Sequence, residues 1–168
     1  MRFYCASKLA NHEQVKTLAS LLKLFGWEHT FDWTTHVSTK ETDMEMLKFI
    51  GKKEFDGVKN ADVVIVLSPQ GRGTHVELGM AIAMNKAVYI RSEDERFFRC
   101  DENTSAFYWL PNVNHFVGSI EELAEKLLID SGVVKRDLRI TSSVKSDSKT
   151  NKWLVRGGEN HAIQVIHE

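Results

Sequence analysis

The sequence predicts a doubly wound α/β fold, a five-stranded parallel sheet flanked by helices, and three observations carry that prediction. Apolar runs of strand length alternate with amphipathic stretches of helical period over residues 1 to 129, the order in which parallel sheets are built. The run Val63 to Leu67 (VVIVL) is apolar without interruption, as expected of a strand covered on both faces. That run stops at Ser68-Pro69, a glycine-bearing loop follows, and an apolar helix opens after it. Strand, loop and helix N-terminus in that order form the carboxyl edge of such a sheet. The expected class is flavodoxin- or Rossmann-like, and 168 residues suffice for one domain with a proper core.

Each element follows in turn. Arg2 to Ala6 (RFYCA) reads as the first strand. Asn11 to Phe25 places Val15, Leu18, Leu21, Leu22 and Phe25 on one face of a helix. Gly26 ends it, and Trp27 to Phe31 reads as the second strand. Asp32 to Lys40 is polar and irregular, a loop. Glu41 to Lys59 repeats Met44, Leu47, Ile50 and Val58 at helical offsets, with expected disturbance near Gly51 and Gly57. Ala61 to Leu67 is the third strand, Thr74 to Asn85 the next helix, and Ala87 to Ile90 the fourth strand. A long charged and aromatic connection, Arg91 to Asn112, leads to the fifth strand at Val113 to Val117. Ser119 to Ile129 reads as a last amphipathic helix with Ser119 as its cap.

The tail differs in kind. Residues 1–131 read as the α/β domain and 132–168 as an extension of unknown role. Val133 to Asn151 is rich in Ser, Thr, Lys and Asp. Beyond it, Trp153 to Val155 and Ala162 to Ile166 are spaced to pair as a β-hairpin around Arg156 to Asn160.

Composition excludes several classes. A formal charge of −1 gives no global basic field for a nucleic-acid polymer. No apolar run reaches bilayer-spanning length, and the N-terminus lacks the charged and apolar blocks of a signal peptide. Two cysteines, Cys5 and Cys100, make no disulfide framework. The expectation is a cytoplasmic protein. The seven histidines are scattered without metal-ligand spacing, so neither a metal nor another cofactor is expected.

The central motif is Thr74-His75-Val76-Glu77 with its flanks. One reading is a capping box, in which Thr74 accepts the third helical N–H and Glu77 reaches back to the N–H of Thr74. The other is a ligand site. Gly71 and Gly73 let backbone approach a ligand, Arg72 adds a fork of donors, and unpaired N–H groups at the helix start attract anions. Ser68 and Thr74 flank that loop as further contacts. Glu77 then stands in the first turn beside whatever binds. The pattern points to a ligand bearing phosphate or sugar hydroxyls.

The stretch GTHVELGMAIAMNKAVYI (73–90) resembles the signature of the nucleoside 2-deoxyribosyltransferase-like superfamily, which includes 2′-deoxynucleoside 5′-monophosphate N-glycosidases. The resemblance is closest from Ala61 to Ile90, extends over Met1 to Ile129, and stops there. It implies that the Glu of the ELG element, Glu77, is a nucleophile at the anomeric carbon, releasing the base and leaving a glycosyl ester. A carboxylate suits that role, since it is ionised at neutral pH and stabilises an oxocarbenium-like transition state. By the same resemblance Ser7 and Lys8, after the first strand, contact the sugar-phosphate. Glu54 or Asp56, shortly before Ala61-Asp62, protonates the leaving base. A homo-oligomer whose subunits complete one another's sites is also implied.

One departure separates this chain from the base-exchanging members. They carry an Asp six residues before the nucleophile, where this chain has Gly71. The loop Pro69 to Gly73 is suited to anions instead, which favours a phosphorylated substrate. It also resembles the PGG-x-GT-x-x-E element of the LOG-type nucleotide phosphoribohydrolases, with Gln70 in place of one Gly.

Trp33, after the second strand, is the preferred stacking wall for a base, with Tyr4 and Phe107-Tyr108-Trp109 as alternatives. The reading is therefore an N-glycosidase acting on a small nucleotide or deoxynucleotide. Deoxyribosyl transfer between bases, or a non-catalytic, TIR-like module binding a nucleotide or an NAD derivative, stay open beside it.

Overall fold

The computed structural model describes residues 1–36, 43–134, 138–141, 154–157 and 161–164. They fall into two compact units, Met1–Gly118 and Ser119–Glu168.

The first unit is built on five parallel strands, β1 (Arg2–Ala6), β2 (Glu28–His29), β3 (Val63–Leu67), β4 (Ala87–Ser92) and β5 (Val113–Val117), in the order β2-β1-β3-β4-β5. The helices α1 (His12–Leu24), α2 (Met44–Asn60) and α3 (Arg72–Ala83) connect them. The chain steps one way from β1 to β2 and the other way from β2 to β3 and β4. Right-handed crossovers therefore put α1 on one face of the sheet and α2 and α3 on the other. The direction reverses between β1 and β3, whose register runs Phe3↔Val63 to Ala6↔Val66. Ligands gather beyond the carboxyl ends of strands at such a point.

Burial explains why these segments take these forms. Every residue of β3 is buried, and so is β1 from Phe3 to Ala6, which accounts for their apolar sequence. On α1 the buried face is Val15, Leu18, Ala19, Leu21 and Leu22. Gly26 takes the left-handed conformation at φ 78° that stops this helix and turns the chain into β2. At the end of α2, Lys86 Nζ donates to the carbonyls of Lys59 and Ala61, at 2.8 and 2.7 Å.

The sequence-based boundaries need several corrections. The second strand pairs over two residues only, Arg2↔Glu28 and Phe3↔His29, with Thr30 N–H still donating to the Phe3 carbonyl. Trp33–His36 is a 3-10 turn rather than loop, and 37–40 lie outside the described residues. Asp43 caps α2 through a 2.7 Å bond from the Met46 N–H, so that helix starts at Met44, and it runs through Gly51 and Gly57 unbroken. The fourth strand continues to Ser92.

The second unit holds α4 (Ile120–Asp130) and a three-stranded antiparallel sheet of β6 (Leu138–Thr141), β7 (Leu154–Gly157) and β8 (His161–Gln164). Ser119 and Glu122 form the reciprocal capping box of α4, at 3.2 and 2.7 Å. The strands β7 and β8 pair in the region expected to form a hairpin, in the register Leu154↔Gln164 to Gly157↔His161. The strand β6 lies in a stretch whose polar composition gave no strand signal. No helix among the described residues is long and apolar enough to cross a membrane.

Candidate active site

The cleft begins where β1 and β3 end. Ser7 Oγ donates to the Leu67 carbonyl at 3.0 Å, and Asn11 Nδ2 donates to Ser7 Oγ at 2.8 Å and to the Pro69 carbonyl at 3.2 Å. The two loops are thereby tied edge to edge. Gly71 passes so close to Lys8 that a Cβ there would touch Lys8 Cβ at 3.4 Å.

The helix after this loop starts earlier than its sequence suggests. Gly71 is the N-cap in extended conformation and Arg72 the first helical residue. Thr74 therefore occupies the third helical position, and its hydroxyl accepts the Gly71 N–H at 3.2 Å. This overturns the expected capping box of Thr74 with Glu77. It is Thr74 that reaches back, and Glu77 lies in the second turn, free of any capping duty.

Glu77 instead points into the cleft floor, 8% exposed, and its Oε1 accepts the Tyr4 hydroxyl at 2.5 Å. Its affinity for a proton is higher than that of an ordinary carboxylate ionised at neutral pH. Burial pushes its carboxyl up to about 7, the Tyr4 bond works downward against that, and the Glu54 charge adds to the rise. Glu54, on α2, is raised by its own partial burial. Burial, then the Glu77 charge and its bond, raise the Tyr4 hydroxyl far above its usual range, so it acts as a donor at all working pH values. Two carboxyls with raised affinity for protons and a fixed donor thus share one site, the environment in which acid–base groups are usually found.

The cleft measures about 310 Å³. Among its walls are Ser7 and Lys8 from the β1 loop, Trp33, Glu54, Gly71 to Thr74, and Glu77, all expected site residues, together with Leu9, which was not. Trp33 is fixed, 7% exposed, with its indole N–H donating to the Cys5 carbonyl at 2.8 Å. Two expected residues do not line the cleft. Asp56 is engaged by Lys52 at 3.0 Å, and Ser68 is buried, its N–H donating to the Arg91 carbonyl at 2.9 Å.

The alternative wall of Phe107, Tyr108 and Trp109 does not line the cleft. Phe107 and Trp109 are exposed, and the Tyr108 hydroxyl pairs with His75 Nε2 at 3.0 Å. His75 Nδ1 faces the Gly71 carbonyl at 3.0 Å, so the neutral ring carries its proton on Nδ1 and accepts the Tyr108 hydroxyl at Nε2. The bond from Tyr4 to Glu77 is the contact that sequence reasoning missed, since the sequence offers Tyr4 only as a stacking surface. A buried tyrosine in a strand needs a hydroxyl partner, and that requirement was the available signal. Among the described residues no group of three His, Cys, Asp or Glu is placed to hold a metal ion.

Comparison with known proteins adds the following. The family model for nucleoside 2-deoxyribosyltransferase matches residues 3–140. A solved Clostridium botulinum CMP N-glycosidase, BcmB, is similar at 22% identity, covering 76% of this chain and 98% of its own, with a TM-score of 0.52. A conserved protein from Enterococcus faecalis V583 is similar at 17% identity, covering 76% of this chain and 96% of its own, with a TM-score of 0.45. No curated protein matches the chain.

Proposed function

The chain belongs to the nucleoside 2-deoxyribosyltransferase family, and from that premise we propose that it cleaves the N-glycosidic bond of a nucleotide or deoxynucleotide through Glu77. The observation that carries the reading is the 2.5 Å bond from the buried Tyr4 hydroxyl to Glu77 Oε1 at the floor of the cleft. A carboxyl used only to stabilise the fold has no need of a solvent-reachable cleft above it.

In the proposed reaction, the free oxygen of the Glu77 carboxylate bonds to the anomeric carbon as the carbon–nitrogen bond to the base breaks. The electron pair leaves with the base nitrogen, which takes a proton from Glu54. Water then attacks the glycosyl ester, Glu54 accepts its proton, and sugar and Glu77 carboxylate are released. Lys8, Arg72 and the backbone N–H groups at the start of α3 suit a phosphate, and Trp33 offers a face to the base. Gly71 brings no carboxylate to the position where base-exchanging members have an Asp, which supports hydrolysis over transfer. The Clostridium botulinum protein's description as a CMP N-glycosidase is in keeping with that.

Assembly into a homo-oligomer is part of the same reading. Helix α2 exposes Met44, Leu47 and Phe49, apolar surface that a second copy would cover; a monomeric mass by light scattering would refute it.

The test is chromatography of wild type and Glu77→Gln after incubation with ribo- and deoxynucleoside monophosphates, free nucleosides plus an acceptor base, and NAD. Free base from a monophosphate without acceptor, abolished in the variant, is the expected result. Acceptor-dependent exchange would make the protein a transferase. Binding without product, or full turnover in Glu77→Gln, would overturn the assignment.

A further inference from the structure

The Tyr4–Glu77 pair is backed by a residue that has no side chain. Gly57 lies in α2, three residues after Glu54, and is buried. A Cβ built on it would stand 2.9 Å from both Cδ2 and Cε2 of Tyr4 and 3.0 Å from Cβ of Phe31. Carbon atoms do not approach so closely without displacement, and Tyr4 is fully buried with nowhere to retreat. The helix is held just as firmly. Thr30 Oγ1 donates to the Gly57 carbonyl at 2.8 Å and lies 3.1 Å from the carbonyl of Phe3, the neighbour of Tyr4.

Glycine weakens a helix interior relative to alanine, so its place in α2 needs a reason. Gly51 of the same helix has open space where its Cβ would be, and the close approach is therefore a property of position 57. We propose that Gly57 is a positioning residue for the active site: lacking a side chain, it lets the Tyr4 ring lie against α2 and so brings the Tyr4 hydroxyl onto Glu77. The same contact sets how deeply α2 carries Glu54 into the cleft. This rests on the reading of Glu77 as the reacting carboxylate, but its test does not.

The measurement is the titration of the Glu77 carboxyl by carbon NMR in Glu-labelled protein, assigned with Glu77→Gln. The groups that face Glu77 are the Tyr4 hydroxyl and Cys5 thiol of β1 and Glu54 of α2, with Lys8 and Arg72 in the same cleft. Gly57→Ala should move the midpoint upward by about one pH unit, as should Tyr4→Phe, because both remove a bond that favours the charged form. The double variant should go no further, since one bond is lost only once. Gly51→Ala should titrate as wild type.

In activity, Gly57→Ala should lower kcat roughly tenfold below the midpoint and recover at higher pH, with KM little changed. A folded Gly57→Ala that titrates as wild type overturns the proposal. If Gly57→Ala does not fold, Tyr4→Val/Gly57→Ala makes room for the methyl and should fold. Failure of that variant as well would assign Gly57 to helix packing and overturn the proposal. Should wild type release no base at all, the functional reading fails while the titration still decides the role of Gly57.

Discussion

The Tyr4 hydroxyl on β1 donates to Glu77 Oε1 on α3 across 2.5 Å, joining residues 73 positions apart in the chain. Both side chains are buried, so the bond is made in surroundings where water does not compete. It favours the ionised form of Glu77 and opposes the burial that raises its carboxyl to about 7.

Removing that donor should therefore move the pH dependence of catalysis in one direction. In the proposed reaction Glu77 attacks as a carboxylate, so kcat/KM is expected to rise with pH through about 7 in the wild type. Tyr4→Phe should shift this ascending limb upward by about one unit or more, since a hydrogen bond to a charged group is worth at least roughly 1.5 kcal/mol and one unit is about 1.4 kcal/mol. A pH–rate profile with an unmoved limb would remove Tyr4 from any part in setting the charge.

Stability should respond to the same carboxyl with the opposite preference. The folded state binds the Glu77 proton more tightly than the unfolded chain, about 7 against 4.5. This contribution is fully present below pH 4.5 and is lost as pH rises through 7. Glu77→Gln cannot ionise, so it should be more stable than wild type at pH 8 by up to ~3 kcal/mol. The gap should close below pH 5. Urea unfolding at the two pH values checks it.

His29 should supply the acid side of the curve. Its ring stacks on Phe3 with centroids 4.6 Å apart, both nitrogens lack a hydrogen-bond partner among the described residues, and burial holds it at about 4. Stability from the neutral ring is present above 6.5 and is lost as pH falls toward 4. His29→Phe should flatten the loss of Tm on acidification, and a variant that melts as wild type does at pH 4.5 would contradict this.

Glu54 and Asp56 should separate sharply. They sit two residues apart on α2, about 200° around the helix, and Glu54 alone lines the cleft while Asp56 pairs with Lys52. If Glu54 is the proton donor as proposed, Glu54→Gln should lower kcat by about a hundredfold or more, and Asp56→Asn should change it less than twofold. Equal effects in steady-state kinetics would mean that position on the helix does not decide the role.

Phosphate recognition should appear in KM. Lys8→Gln or Arg72→Gln should raise KM for a monophosphate about tenfold, since a charge-assisted hydrogen bond is lost, and leave a free nucleoside nearly unaffected. Steady-state kinetics on the two substrates would expose a purely structural role as equal losses on both.

The parallel sheet was legible because its central strands β1 and β3 are buried on both faces, and Val63 to Leu67 has no other economical explanation. The same holds for the cleft residues that follow β1 and β3, since position at a strand's carboxyl end is a property of topology. The start of α3 was not legible. Threonine followed by glutamate three residues later fits a cap at Thr74, and nothing local shows that Gly71 has already begun the helix. Choosing Glu54 over Asp56 was within reach. Glu54 falls three, four and seven residues before Gly57, Val58 and Ala61, all buried, whereas Asp56 falls off that stripe. Tyr4 required the tertiary fold, because its partner lies on α3, with four helices and strands between them in the chain.

The indole N–H of Trp33 is already committed to the Cys5 carbonyl. Burial and that bond hold the ring in place, so any ligand arriving against it meets a surface whose rotamer was settled during folding. Immobilising a large side chain on binding commonly costs about 0.5–1.5 kcal/mol, and here that loss of freedom is incurred once, when the chain folds, rather than at each encounter with a ligand.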